Sequence, residues 1–322
     1  LEYSFNRELS GRDGEALYQK MVGGGWKPIY DGTELRSIEG MDIQTTINVN
    51  IQDIAENALL EALEKNQADY GSVVVMEVNT GQIKAISNLS KNSVGAYYES
   101  YNYAVGSHGS REPGSTFKLA SMIALLEDSH LKLYDSIDTG NGSFKFFNET
   151  MRDHKKGGFG TLSIQEIFEK SSNIGIAKLI QNHFGKNPQK FIDQLRAMGL
   201  YEPLAFQMYG EGKSYIKTPK DSTWSGTSLP WISHGYELKM TPLHTLTLFN
   251  SVSNEGKMVQ PIIVKYIKRA DKVIQHFESK VLKEKICSES TLSDVKIMLK
   301  GVVERGTAHN IYTPKYLSLI HI

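Results

Sequence analysis

Ser115 and Lys118 have the residue types and the spacing of a nucleophile next to its own base. Ser115 follows the turn-forming pair Pro113-Gly114 and is a favourable N-cap for a helix. From Ser115 to Leu126 the residues are almost all apolar, which is typical of a buried helix, and Lys118 is the one charged residue among them. Burial lowers the pKa of a lysine and makes it a better base. Because residues three apart share a helix face, the pair predicts acyl-transfer chemistry.

The Ser-x-x-Lys spacing by itself is weak support, because it occurs four times in the chain. The other three occurrences are Ser129/Lys132, Ser214/Lys217 and Ser293/Lys296. The pair at Ser115 is distinguished by the turn in front of it and the apolar helix behind it. The last pair falls on an amphipathic pattern, whose lysine is expected to face water. On these features alone, a catalytic and a structural role of Lys118 are both open.

A second group of small polar residues, Ser171-Ser172-Asn173, lies between two stretches with helical patterns, residues 164–170 and 174–184. If these side chains are buried they must be hydrogen-bonded, which suits the wall of an active site. A pair of helix caps at a break in the chain explains them equally well.

Several elements are predicted to position these residues. The apolar spacing over residues 50–65 predicts an amphipathic helix, and the β-branched runs 72–78 and 82–87 predict a hairpin beneath it. Capping signals predict further helices at residues 164–170, 189–198, 242–253 and 291–304. A late strand region is expected over residues 260–267. A hairpin, then helices, then late strands favour an α/β (α+β) domain with a largely antiparallel sheet.

Seven short motifs follow one another in the order found in class B penicillin-binding proteins, the peptidoglycan D,D-transpeptidases. They are LSGRDG (9–14), YNYAV (101–105), EPGSTFK (112–118), GFGTL (158–162), SSN (171–173), TPL (241–243) and NEGK (254–257). Ser-x-x-Lys and Ser-x-Asn are two of the three known motifs of penicillin-binding proteins and β-lactamases. Over nearly its whole length the chain resembles this class, and it is more similar to the septal cell-division type than to the elongation type.

The resemblance implies a serine transpeptidase/β-lactamase-like fold, with an antiparallel sheet flanked by helices. Residues 1–40 would be the end of the N-terminal pedestal module and its linker, and residues 41–322 the penicillin-binding transpeptidase domain. The resemblance also implies a catalytic domain in the periplasm and an anchor in the bacterial inner membrane that is absent from this chain. Membrane-embedded division proteins, including a glycosyltransferase, would be its partners.

The same resemblance implies a role for each site residue. Ser115 would attack the carbonyl of the penultimate D-Ala of a peptidoglycan stem peptide, and Lys118 would take its proton. Ser171 would relay a proton to the leaving amine, while Asn173 would bind the substrate's backbone amide and hold Lys118. An amine of a neighbouring stem peptide would then attack the acyl-enzyme and form the cross-link. β-Lactam antibiotics mimic the D-Ala-D-Ala end and would acylate the same serine.

The third motif of the family, Lys-Thr-Gly or Lys-Ser-Gly, does not occur in the 322 residues. Arg305-Gly306-Thr307 is not a substitute, because it resembles the loop just ahead of the strand that carries the motif. That strand is expected to begin near Tyr316-Leu317, and residues 318–322 do not resemble the family. In the family that the chain resembles, this strand supplies one donor of the oxyanion hole, and losing such a donor costs about 10² to 10³ in turnover. We therefore expect a fragment that lacks both ends, stops before the Lys-Thr-Gly strand and is impaired in this form.

The composition excludes several other classes of protein. Lys+Arg and Asp+Glu both number 36, so the net charge is zero and there is no electrostatic case for nucleic-acid binding. The 40% of hydrophobic residues can form a core, which excludes a disordered chain, and a single cysteine excludes a disulfide framework. The nine histidines form no metal-binding motif, so neither a metal nor another cofactor is expected.

Two other functions are open on the sequence. A β-lactamase-like hydrolase shares the chemistry but needs a second base for the deacylating water, and the pedestal-like residues 1–40 argue against it. A non-catalytic β-lactam sensor or division scaffold would only bind partners. Rapid turnover of a penicillin would favour the first, and function that survives Ser115→Ala would favour the second.

Overall fold

The computed structural model describes residues 1–30, 32 and 34–313. Its helices are α1 (Asn6–Leu9), α2 (Val49–Asn66), α3 (Lys118–Asp128), α4 (Ile164–Glu169), α5 (Asn173–Phe184), α6 (Pro188–Ala197), α7 (Ser228–Ser233), α8 (Pro242–Ser253) and α9 (Glu289–Glu304). Its strands are β1 (Leu17–Lys20), β2 (Trp26–Ile29), β3 (Asp42–Thr45), β4 (Tyr70–Met76), β5 (Ile83–Lys91), β6 (Tyr97–Tyr98), β7 (Ser136–Asp138), β8 (Ser143–Phe146), β9 (Glu149–Arg152), β10 (Thr161–Ser163), β11 (Tyr215–Ile216), β12 (Leu238–Lys239), β13 (Met258–Val259), β14 (Val264–Arg269), β15 (Lys272–His276) and β16 (Val281–Lys283).

The larger strands form two three-stranded antiparallel sheets, in the orders β4-β5-β6 and β15-β14-β3. The sheets meet where the amide of Ile83 donates to the carbonyl of Ile262 at 2.8 Å and the hydroxyl of Thr46 donates to the carbonyl of Ile83 at 2.6 Å. Helix α2 lies on the first sheet, where the Gln52 side chain bonds both backbone groups of Ile86. The predicted hairpin, the helix above it and the antiparallel α/β fold are confirmed.

Helix α3 is the centre of a helical core. Every residue of α3 from Lys118 to Leu126 is buried, and the helix packs against α5, α6 and α9. A helix that is apolar on nearly every face requires neighbours on every face, which explains this central place. The prediction of a buried helix after Ser115 is confirmed.

Helix starts follow the capping signals of the sequence with small shifts. Ser163 and Glu166 form the predicted capping box at α4, and a proline occupies the first turn of both α6 and α8. Helix α9 begins two residues earlier than predicted, because Ser288 caps it. The late strand predicted over 260–267 is shifted to β14, since Pro261 has no amide hydrogen to contribute to a ladder.

The first forty residues are mostly exposed, and β1 and β2 form a two-stranded antiparallel ribbon there. The assignment of residues 1–40 to the end of a pedestal module stays a prediction. Within the part of the chain that the structure describes, no helix has the length and apolar character that crossing a membrane requires. The strand predicted near Tyr316-Leu317 lies outside the described residues.

Candidate active site

Ser115 lies in a 3₁₀ turn, Gly114–Phe117, directly before α3. Gly114 has a positive φ of 58°, and its amide donates to the carbonyl of Gly235 at 3.1 Å. A Cβ atom on Gly235 would lie 1.9 Å from the carbonyl oxygen of Gly114, so this close approach requires glycine. Phe117 is buried while Ser115 is exposed, and the turn thus presents the hydroxyl at the surface.

The prediction that Ser115 caps the helix is wrong. Helix α3 begins at Lys118, and no side-chain hydrogen bond caps it, because the 3₁₀ turn leads directly into the helix. The amide of Lys118 instead donates to the carbonyl of Ser115. The serine hydroxyl therefore accepts no hydrogen bond from a helix amide. A nucleophile needs its oxygen to be unoccupied in this way.

Lys118 is 2% exposed, and its ammonium group has three oxygen acceptors. Nζ donates to the carbonyl of Ser171 at 2.7 Å, to Ser171 Oγ at 3.0 Å and to Asn173 Oδ1 at 2.7 Å. An ammonium group has three donors, so these acceptors account for its hydrogen-bonding capacity. The structure brings Lys118, Ser171 and Asn173 together, next to the turn that holds Ser115.

Burial lowers the pKa of Lys118 to about 7, while the negative charge of Asp153 acts in the opposite direction. The direct acceptors of Lys118 are uncharged. They provide hydrogen bonds for the amine but do not fully compensate its charged form for the loss of hydration. Near neutral pH a large fraction of Lys118 is unprotonated, which is the state that a general base needs.

Ser171 has a left-handed backbone, with a φ of 51°. This conformation is unfavourable for a non-glycine residue and persists where the surroundings fix it, commonly at functional sites. Here the amides of Ser171 and Ser172 donate to the carbonyls of Phe168 and Ile167, in the last turn of α4. The resulting turn places both the carbonyl and the hydroxyl of Ser171 on Lys118.

The two explanations of the Ser-Ser-Asn group both hold, for different residues. Ser172 is the N-cap of α5, since its hydroxyl accepts the amide of Gly175 at 2.9 Å. Ser171 and Asn173, on either side of it, contact Lys118. One short turn therefore starts a helix and forms a wall of the site.

Asp153 was not predicted as a site residue. Its buried carboxylate accepts hydrogen bonds from Ser172 Oγ at 2.9 Å and from the amides of Asn173 and Ile174 at 2.6 and 3.1 Å. The Asn173 side chain also donates to the carbonyl of Arg152 at 2.9 Å. No local pattern around Asp153 signals this role, because its partners lie about twenty positions further along the chain.

His234 is a second residue that the sequence did not reveal. It is 5% exposed and follows α7, directly before Gly235. Its Nδ1 donates to the carbonyl of Pro230 at 2.9 Å. Burial lowers the pKa of His234 to about 4, and the positive charge of Lys118 acts in the same direction. The imidazole is therefore neutral at physiological pH and adds no charge to the site.

The chain matches the family model described as "Penicillin binding protein transpeptidase domain" over residues 71–316. It therefore belongs to the family of penicillin-binding protein transpeptidase domains. Across the described residues, no group of three or more His, Cys, Asp or Glu side chains could hold a metal ion.

The relatives of the chain confirm the resemblance to class B penicillin-binding proteins. "Penicillin-binding protein PbpB" of Mycolicibacterium smegmatis is 26% identical over 314 residues, which are 95% of this chain and 47% of the relative. "Peptidoglycan D,D-transpeptidase FtsI" of Buchnera aphidicola is 26% identical over 99% of this chain and 57% of the relative. The chain thus spans about half the length of the curated relatives it matches.

A solved structure shows the same fold. It is penicillin binding protein 3 of Mycobacterium tuberculosis, complexed with ampicillin, which is 23% identical. The TM-score is 0.79, and the match covers 97% of this chain and 66% of that one.

Proposed function

We propose that the protein is a peptidoglycan D,D-transpeptidase of the septal class B type, which cross-links stem peptides through an acyl-enzyme on Ser115. The observation that carries this proposal is the buried amine of Lys118, which donates to Ser171 and Asn173 beside an exposed serine. The family match, the relatives named FtsI and the ampicillin complex of a structural neighbour support the substrate class and acylation by β-lactams.

Acylation uses the unprotonated form of Lys118. As Ser115 Oγ bonds to the carbonyl carbon of the penultimate D-Ala, its proton moves to Lys118 Nζ. The new ammonium has three N–H groups, one for each of the oxygen acceptors around Nζ, and these acceptors stabilise the developing charge. The C–N bond to the terminal D-Ala breaks, and its amine receives a proton through the Ser171 hydroxyl. Lys118 becomes neutral again, and the amine of a second stem peptide attacks the ester carbonyl. The new C–N bond forms as the C–O bond to Ser115 breaks, and the proton of the amine passes through Lys118 to Ser115 Oγ.

Asn173 has two tasks in this proposal. Its Oδ1 accepts from Lys118 and its Nδ2 donates to the carbonyl of Arg152. Each group of the amide can form one further hydrogen bond, which leaves capacity for the backbone amide of a bound peptide.

The septal role implies a setting beyond this chain. We propose a catalytic domain on the periplasmic side of the bacterial inner membrane, with membrane-embedded division proteins that include a glycosyltransferase as partners. Relatives named PbpB and FtsI support this assignment.

A β-lactamase-like hydrolase is the second candidate, and its deacylating water needs a base. Asp153 already accepts three hydrogen bonds, and burial lowers the pKa of His234 to about 4, which makes its imidazole a weak base. Both properties favour a long-lived acyl-enzyme. The lifetime of the adduct distinguishes the two functions, since a hydrolase would lose it within seconds.

Mass spectrometry after incubation with a fluorescent penicillin tests the proposal. Because the sequence lacks Lys-Thr-Gly and Lys-Ser-Gly, the reaction is followed for hours. We expect one adduct on the peptide that contains Ser115, no adduct in Ser115→Ala, and an unchanged adduct in the matched control Ser214→Ala. In a complementation test, Ser115→Ala should fail to support cell division, a result that would exclude a scaffold. An adduct elsewhere, or none, contradicts the proposal.

A further inference from the structure

Asp153 follows β9 and is 9% exposed, yet it has no cationic side chain as a hydrogen-bond partner among the described residues. All three of its hydrogen bonds are to the start of α5. One oxygen accepts both the Asn173 and the Ile174 amides, and the other accepts the Ser172 hydroxyl. Burying a carboxylate without a salt bridge costs free energy of desolvation. A residue that bears this cost is expected to serve the reaction or the fold.

The carboxylate completes the first turn of α5. The first amides of a helix have no partners within the helix, and the positive end of the helix dipole favours an anion there. Asp153 binds two of these amides, and Ser172 binds the amide of Gly175. Arg152 holds the Asn173 side chain by its carbonyl. The end of β9 thus fixes both the backbone and the side-chain amide of Asn173. The Oδ1 atom of that side chain then faces Lys118.

We propose that Asp153 is a positioning residue for acyl transfer. Its hydrogen bonds fix Ser172 and Asn173 on the end of β9, and its negative charge stabilises the Lys118 ammonium that forms when Ser115 loses its proton. This inference rests on the proposed function of Ser115 and Lys118. It assigns Asp153 no contact with the substrate, because its oxygens are bound to α5.

The charges near Lys118 support an electrostatic role for Asp153. The negative charge of Asp153 raises the pKa of Lys118 against the larger effect of burial. His234, from the segment after α7, is neutral near pH 7 because burial lowers its pKa to about 4. Arg152 and His154, the neighbours of Asp153 in sequence, are exposed, so water screens their charges. Asp153 is therefore the anion that acts on the buried amine.

The variant Asp153→Asn separates the charge from the hydrogen bonds. Asparagine has the same shape, its oxygen can accept the two amides, and its NH₂ group can donate to the Ser172 hydroxyl. Ser172→Ala is the matched control, because it removes a hydrogen bond from Asp153 but leaves the charge. Asp135→Asn, which removes a carboxylate bonded to the amide of Lys132, controls for the loss of a charge elsewhere.

The readout is the rate of Ser115 acylation by a fluorescent penicillin between pH 5 and 9. The wild-type rate should rise with a midpoint near the Lys118 pKa of about 7. In Asp153→Asn we expect the midpoint to fall by about half a pH unit or more, with a plateau about tenfold lower. Ser172→Ala should slow the reaction at an unchanged midpoint, and Asp135→Asn should change neither. An unchanged midpoint in Asp153→Asn, or an equal shift in Ser172→Ala, would overturn the proposal.

A second measurement separates a failure of this inference from a failure of the proposed function. NMR of the ¹³C-labelled lysine ε-carbons follows the titration of Lys118 without any acylation. If wild type forms no adduct on Ser115, the proposed function fails. The charge effect of Asp153 still stands if the titration midpoint of Lys118 is lower in Asp153→Asn, and it is refuted if the midpoint is the same. Circular dichroism confirms that each variant is folded.

Discussion

Two of the four Ser-x-x-Lys pairs contain a buried lysine, and the surroundings of the two amines differ. Lys118 is 2% exposed and donates to the uncharged oxygens of Ser171 and Asn173. Lys217 is 8% exposed and donates to the Glu237 carboxylate at 2.7 Å. Neutral acceptors allow a buried amine to give up its proton, whereas a carboxylate partner forms a structural ion pair. The same four-residue motif thus has two different uses in one chain.

The serines of the two pairs differ as well. Ser115 is exposed in the turn before α3, one helical turn from Lys118. Ser214 precedes β11, and its buried hydroxyl has no hydrogen-bond partner among the described residues. In extended backbone, residues three apart point to opposite faces, so Ser214 and Lys217 cannot act together as the helical pair does. Secondary structure, rather than spacing, decides which pair can carry out chemistry.

The sharpest contrast should come from replacing each buried lysine by methionine. Lys118→Met removes the proposed general base, so the rate of Ser115 acylation should fall by about 10²- to 10⁴-fold. Lys217→Met should leave that rate within about twofold. It should instead lower the free energy of unfolding by about 2 kcal/mol, because Glu237 loses its charged partner. Penicillin labelling and urea unfolding measure the two effects, and equal losses of acylation would remove the distinction.

The stability of the protein should depend on pH through Lys118. Its pKa is about 7 in the folded chain and 10.5 in an ordinary lysine, so between these values the unfolded chain binds the extra proton. The folded state is therefore favoured increasingly as pH rises from 7 toward 10.5. Relative to Lys118→Met, the wild-type free energy of unfolding should increase by about 3 kcal/mol between pH 7 and 9.5. A constant difference, measured by urea unfolding at each pH, would show that Lys118 is not desolvated.

Asn173→Ala should lower the acylation rate less than Lys118→Met does. This change removes one of the three acceptors of Lys118 and the bond to Arg152, but both oxygens of Ser171 remain. We expect the acylation rate to fall about tenfold, less than the 10²- to 10⁴-fold typical of a general base itself, because Asn173 holds Lys118 and does not take the proton. Asn187→Ala is the control, because the Asn187 side chain makes no cap hydrogen bond. No loss in Asn173→Ala would refute a role for this residue in the site.

The smallest effect is expected from Ser214→Ala. A buried hydroxyl without a partner costs free energy, so its removal should raise the free energy of unfolding by up to about 1 kcal/mol. The acylation rate should not change, in contrast to that of Ser115→Ala, which lacks the proposed nucleophile. Destabilisation by more than about 1 kcal/mol would indicate that Ser214 has a structural role.

The sequence predicts the parts of the site that depend on local patterns. The apolar run after Ser115 indicates the buried helix and the unusual Lys118, and the motif order indicates the family. The N-cap role of Ser115 was wrong, because a 3₁₀ turn and a helix start have similar sequence signals. The places of Asp153 and His234 near Lys118 could not be predicted, since they depend on contacts with Asn173 and Pro230 that only the folded chain creates.

The central claim is that Lys118 is a neutral base near physiological pH. The most direct test is the titration of its amine, followed by NMR of ¹³C-labelled lysine and assigned by comparison with Lys118→Met. We expect one lysine to titrate near pH 7. If every lysine resonance, including that of Lys118, titrates above pH 10, the amine is charged at neutral pH and cannot take the proton of Ser115.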